Sequence, residues 1–121
     1  MTDYSPYQLG RSGERRAVEY LKRKGFRVVE TGFRMFHGEI DIIAYEGDTL
    51  VFLEVKTRRG REFGAPEESV TPFKQRRIRR VAEGYLFKKR LEQVPCRFDV
   101  LAVEGDEERG FSIRHFPDAF E

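Results

Sequence analysis

Residues 38–56 read GEIDIIAYEGDTLVFLEVK. On either side of Glu46-Gly47-Asp48-Thr49 the residues alternate in a two-residue period, the pattern of a strand that packs one face on a core. Two strands are expected, Glu39 to Tyr45 and Thr49 to Thr57, joined through Gly47-Asp48. A two-residue turn pairs Glu46 with Thr49. Counting back, Asp41 then opposes Glu54 and Glu39 opposes Lys56. A three-residue turn would set Asp41 against Leu53 and aim Glu54 elsewhere. Glycine at the first turn position favours the shorter turn.

That register gathers four charges on a patch shared with Ile43, Leu50 and Phe52. Directly opposed Cβ atoms in a pleated sheet are only ~5 Å apart. Two carboxylates that close, in a partly dry site, repel at a cost of several kcal/mol unless something positive sits between them. Lys56 offsets one charge, but not Asp41, Glu54 and Glu14 together. A hard dication, Mg²⁺ or Mn²⁺, suits carboxylate oxygens and offsets the rest. Mg²⁺ commonly takes one or two carboxylates and keeps waters and a substrate phosphate as its other ligands. With a lysine nearby, these are the parts needed to hydrolyse a phosphodiester. The competing reading is an ion-pair lattice on an exposed strand, in which Glu39 and Lys56 form a cross-strand pair worth under ~1 kcal/mol. The apolar neighbours on the same face indicate a covered surface and favour a site.

Outward from the hairpin, a first helix is expected from about Ser12 to Lys24, with Ser12 as N-cap and Gly25 as the stop. Glu14, Ala17, Val18 and Leu21 fall on one face, which puts Glu14 in the first turn at the edge of the apolar stripe. Phe26 to Glu30 reads as a short strand. Thr71-Pro72 opens a second helix whose stripe is Ile78, Val81, Ala82, Tyr85 and Leu86. Arg97 to Val103 and Phe111 to Phe116 read as further strands. The interleaving predicts an α/β class with a mixed sheet, ordered as helix, three-strand meander, helix, strand, strand. The expected organisation is one domain over residues 1–121, with 1–9 a flexible N-terminus.

Composition narrows the function. The chain has 121 residues, 39% hydrophobic and 36% charged, which suits a soluble globular domain rather than a disordered or fibrous one. No apolar run reaches the ~20 residues of a membrane span. The polar start, MTDYSPYQLGRSG, lacks the apolar segment of a secretory signal, so a cytoplasmic location is expected. Cys96 stands alone, and His37 and His115 are far apart, so no zinc-ligand spacing is present. Net charge is only +2, yet the stretch from Thr57 to Arg90 is strongly basic. Such a stripe points to a polyanion or to a solvated helix face. Phe33, Phe36, Phe63 and Phe73 could stack on bases, although aromatics at such positions are more often core lids. Asp99 is read as structural, a partner for Arg97 or a helix arginine.

Asp41, a gap, then Glu54-Val55-Lys56 resembles the PD-(D/E)xK nuclease superfamily. In order, GRSGERRAVEYLKRKGF, GEIDIIA, VFLEVKTR, FGAPEESVTPFK, RRVAEGYL and RFDVLAV resemble the YraN-type family of small bacterial, Holliday-junction-resolvase-like proteins. The likeness runs from Gly10 to about Val103. It implies a restriction-endonuclease-like core and a metal-dependent endonuclease acting on DNA, with branched DNA as the substrate class. The alternative it leaves open is a nucleic-acid-binding module on a nuclease fold that does not cut. Asp41 and Glu54 match the metal-binding acids, with the backbone carbonyl of Val55 as a further ligand, and Lys56 matches the catalytic lysine. Glu14 matches the acid supplied by the first helix, and Glu39 belongs to the GEID block as a supporting residue. Ile40 stands where the superfamily pattern has proline. Arg58, Arg59, Arg61, Lys74 and Arg77 become candidates for holding phosphates without reading sequence. A two-fold junction would be matched by a homodimer.

Overall fold

A computed structural model describes the backbone of residues 6–58, 70–106 and 108–121 and the side chains of 12–58, 70–105 and 108–121. The chain runs α1 (Pro6–Arg23), β1 (Arg27–Met35), β2 (Gly38–Glu46), β3 (Thr49–Arg58), α2 (Pro72–Lys88), β4 (Cys96–Asp106) and β5 (Gly110–Phe120). The strands form one mixed sheet in the order β1-β2-β3-β4-β5. β1, β2 and β3 are an antiparallel meander, β4 lies parallel to β3, and β5 returns antiparallel to β4. The parallel step follows from the long connection through α2, as a crossover requires. This is the expected α/β class, with the helix, meander, helix, strand, strand order of a restriction-endonuclease-like core.

The sheet separates two apolar clusters. Ala17 and Leu21 of α1 pack with Phe26, Ile42, Ala44, Val51, Leu53, Leu101 and Val103. Ile78, Val81, Ala82 and Tyr85 of α2 pack with Phe33, Ile40, Ile43, Leu50, Phe52 and Val100. β2 and β3 thus carry apolar residues on both faces, as sheets covered by helices on two sides do.

The predicted hairpin is present. Glu46 pairs with Thr49, Tyr45 with Leu50 and Ile42 with Leu53. Gly47 holds φ +59, the left-handed value a tight hairpin turn needs and glycine adopts freely. α1 also ends as expected. Gly25 has φ +92, and Phe26 N donates to Leu21 O while Gly25 N donates to Lys22 O, which satisfies the last carbonyls of the helix.

The start of α1 differs from expectation. The helix begins at Pro6, so Ser12 is an interior residue and not the cap, and Glu14 sits in the third turn. Ser12 and Gly13 are buried where α1 crosses β3, and a Cβ on Gly13 would lie 2.1 Å from Thr57 Oγ1. The small residues therefore mark a close helix–sheet approach, not a helix start. Among the described residues, no helix is long and apolar enough to cross a membrane.

Candidate metal and phosphodiester site

The acids meet where β2 and β3 leave their regular ladder. The regular pairing ends at Ile42 and Leu53. One step further, the Val55 amide donates to the Asp41 side chain, at 2.8 Å from Oδ2, in place of a backbone carbonyl. Asp41 also stands at a change of face. Thr31 pairs with Ile42 and Phe33 with Ile40. Yet Ile42 belongs to the α1 layer and Ile40 to the α2 layer, two residues apart where strict alternation would keep them together. Between those pairs, opposite Asp41, Gly32 has φ +62. The two strands turn over together at Gly32 and Asp41, and the carboxylate is drawn in towards β3.

This local reversal changes the fine geometry expected from counting. Glu39 does not partner Lys56. It opposes Arg34 on β1 and accepts from Arg34 Nε at 3.1 Å. Lys56 instead pairs with Glu54 on its own strand and face, Nζ to Oε1 3.5 Å, with both side chains mostly buried. Lys74, from the first turn of α2, stands close enough to both for its charge to be felt.

The electrostatics are those of a site crowded with negative charge. Burial, and then the charge of Glu54, push the Asp41 carboxyl up to about 8, against the Val55 hydrogen bond that favours the ionised form. Glu14 and Glu39 push the same way. Burial also raises Glu54, although Lys56 and Lys74 draw it back. The charge of Lys56, then burial, lower Lys74. Asp41, Glu54, Glu14, Glu39, Lys56 and Lys74 are thus one coupled set, contributed by α1, β2, β3 and the start of α2.

A hard dication fits this donor set. Its acidic members are carboxylates, two of them kept partly from water, and such oxygens suit a hard ion. Asp41 Oδ2 is held by the Val55 amide, which fixes the carboxylate's orientation as an outer hydrogen bond does for a ligand. Among the described residues, no three His, Cys, Asp or Glu side chains gather closely enough to form a ready cage. A Mg²⁺ ion needs no such cage, since it retains waters and a phosphate.

The basic candidates divide. Arg58 ends β3 and is half-buried. Arg77 is exposed on α2 and lines a groove of about 560 Å³ with Arg34, His37, Gly38 and Glu39. Arg59, Arg61 and Phe63 lie outside the described residues. Phe33 is a buried core residue, whereas Phe36 and Phe73 are exposed. Phe87 was not anticipated as a surface aromatic, although its offset from the apolar stripe of α2 was a readable sign. Asp99 is structural, as expected. It is fully buried and accepts from Arg97 Nε and Nη2 at 2.8 and 2.9 Å and from the Asp118 amide at 2.9 Å, and it lies 2.7 Å from His115 Nε2.

Comparison with known proteins adds kinship. The family model described as "Uncharacterised protein family UPF0102" matches residues 13–103. A UPF0102 protein of Chlorobium limicola is 48% identical, covering 98% of this chain and 95% of its own length. One from Geotalea uraniireducens is 50% identical over 93% of this chain and 89% of its own. The protein STH1475 of Symbiobacterium thermophilum is 46% identical over 93% and 96%.

Proposed function

The chain belongs to the UPF0102 family, and from that premise and the site's geometry we propose that it is a metal-dependent DNA endonuclease that hydrolyses phosphodiester bonds, with branched DNA as its substrate. One observation carries the reading. Asp41 and Glu54 stand on adjoining strands with Lys56 beside them, and burial, then the charge of Glu54, push the Asp41 carboxyl up to about 8. A fold gains nothing in stability from such a cluster, but a dication and a phosphate between these groups make every one of them useful.

Asp41, Glu54 and the Val55 carbonyl would hold the ion, with Glu14 facing it from α1. When bound, the ion supplies Lewis acidity, which makes a water more acidic and spreads charge on the phosphate. The chain's own groups do the rest. The Val55 amide fixes Asp41, so its carboxylate needs no reorientation. Glu54 holds the Lys56 ammonium at the site, where it faces the charge that develops on the phosphate. Lys74 adds a second cation from α2. Arg58 and Arg77, with Arg59 and Arg61, would hold flanking phosphates.

A second reading is a module that binds nucleic acid without cutting it, since the basic side chains of α2 would serve binding alone. Cleavage separates the two. With Mn²⁺ or Mg²⁺, the protein is expected to nick a four-way junction or a flapped duplex. Lys56→Ala and Asp41→Ala should each lower the rate at least ~100-fold, the loss expected when electrostatic stabilisation is removed. Both variants should still bind. Binding with no nicking under any divalent metal would leave the second reading in place.

A further inference from the structure

We propose that the outer face of α2, together with the β1–β2 turn, is a stacking platform for an unpaired nucleic-acid strand, leading away from the site. Phe73, Arg77, Arg80 and Phe87, spaced by four, three and seven residues, share a helix face beside the buried stripe, with the buried Gly84 between Arg80 and Phe87. Phe73 and Phe87 are 61% and 89% exposed, and Phe36 at the turn is 49% exposed. Monomeric surfaces show single apolar residues routinely, but three aromatic rings in one basic neighbourhood are not routine.

The turn supports the same conclusion. Phe36 and His37 both adopt left-handed φ, 55 and 61. A two-residue hairpin turn of this type is normally built from Asn and Gly, and a bulky residue there is strained. The chain nevertheless keeps an exposed phenylalanine at the tip and seats it on α2. A Cβ on Gly84 would lie 2.2 Å from Met35 Sδ and 2.8 Å from the Phe36 ring, so glycine makes room for both side chains. Arginine planes already lie over the rings, Arg80 4.9 Å above Phe36 and Arg77 5.6 Å above Phe73. Strain held at an exposed aromatic is a sign of use rather than of stability.

Charge selects the occupant. Arg76, Arg77, Arg80 and Lys88 surround the rings, and Glu83 is the acid among them. A second copy of this chain would bring like charges together, and a neutral peptide would leave them unanswered. A single strand offers both phosphates and bases, which stack on rings and guanidinium planes whatever their sequence. His37 and Arg77 line both the aromatic surface and the groove that reaches Glu39, so platform and site adjoin. The platform would receive the unpaired arm of a branched substrate, and in that respect it rests on the nuclease reading.

The test is binding of a labelled oligothymidine and of a duplex of equal length, by fluorescence anisotropy in EDTA. Without metal, failure of cleavage does not enter the result. The variant F36L/F73A/F87A keeps an aliphatic filler against Gly84, and its melting curve checks the fold. The proposal expects at least ~30-fold weaker single-strand binding and a duplex affinity within about twofold of the parent. Unchanged single-strand affinity, or an equal loss for both ligands, overturns the platform. So does a dimer of the unliganded parent that the variant dissociates, since the rings would then serve self-association. Junction nicking by the variant in Mn²⁺ reports separately on the nuclease reading.

Discussion

At the residue scale, Asp41 is the most informative side chain. Its carboxyl ordinarily titrates at 3.8 and here is pushed up to about 8. Between those values the folded protein holds a proton that the unfolded chain has released, so metal-free stability falls as pH rises through that window. Asp41→Asn keeps an oxygen to accept from Val55 and removes the charge. It is expected to stabilise the metal-free protein by ~1–2 kcal/mol at pH 8, with little change at pH 4. Urea melts at the two pH values check this, and a loss of stability at pH 8 would contradict it. Asp99 behaves in the opposite sense. Burial alone would raise it, but His115, Arg97 and the Asp118 amide together hold it below the ordinary carboxylate range. Its contribution is present above the ordinary value and disappears as pH falls through the lower folded one. Asp99→Ala leaves Arg97 and His115 without their shared partner and should cost ~3–5 kcal/mol, measured by urea unfolding at neutral pH.

At the scale of elements, the β2–β3 turn and the cap of α2 were the most legible features. Gly47-Asp48 fixed the β2–β3 register, and Thr71-Pro72 marked the start of α2, where Thr71 Oγ1 accepts from Lys74 N at 3.3 Å. The face change at Asp41 was not legible, because alternation is the only face signal a strand carries and it assumes a regular ladder. Gly32 was the available hint, since a glycine inside a strand pattern often marks an irregularity. That reversal separates Glu39 from Lys56 and leaves Lys56 to Glu54. The start of α1 was obscured for a related reason. Ser12-Gly13 has the composition of a helix cap, and only the packing on Thr57 reveals a contact. Alanine in place of a helical glycine ordinarily gains ~1 kcal/mol. Gly13→Ala should instead destabilise by ~1–3 kcal/mol, because even the Thr57 Cβ would be 2.9 Å away and no rotamer moves it. A lowered urea midpoint is expected, and a raised one would show that α1 can slide.

At the scale of the molecule, a covered sheet places acids and a lysine at one end of β2–β3, and α2 carries cations beside them. The net charge of +2 conceals this arrangement, since the basic stretch is balanced elsewhere. If Lys74, Arg76, Arg77 and Arg80 all engage phosphates, raising salt from 50 to 200 mM should weaken duplex binding by about 100-fold. Removing Arg77 and Arg80 together should reduce the slope of log affinity against log salt by about two. Crystals soaked in Mn²⁺ test the whole arrangement most directly. An anomalous peak about 2.1–2.2 Å from oxygens of both Asp41 and Glu54, lost in Asp41→Ala, is the expected result. A well-ordered soaked site with no anomalous density between these two carboxylates would contradict it.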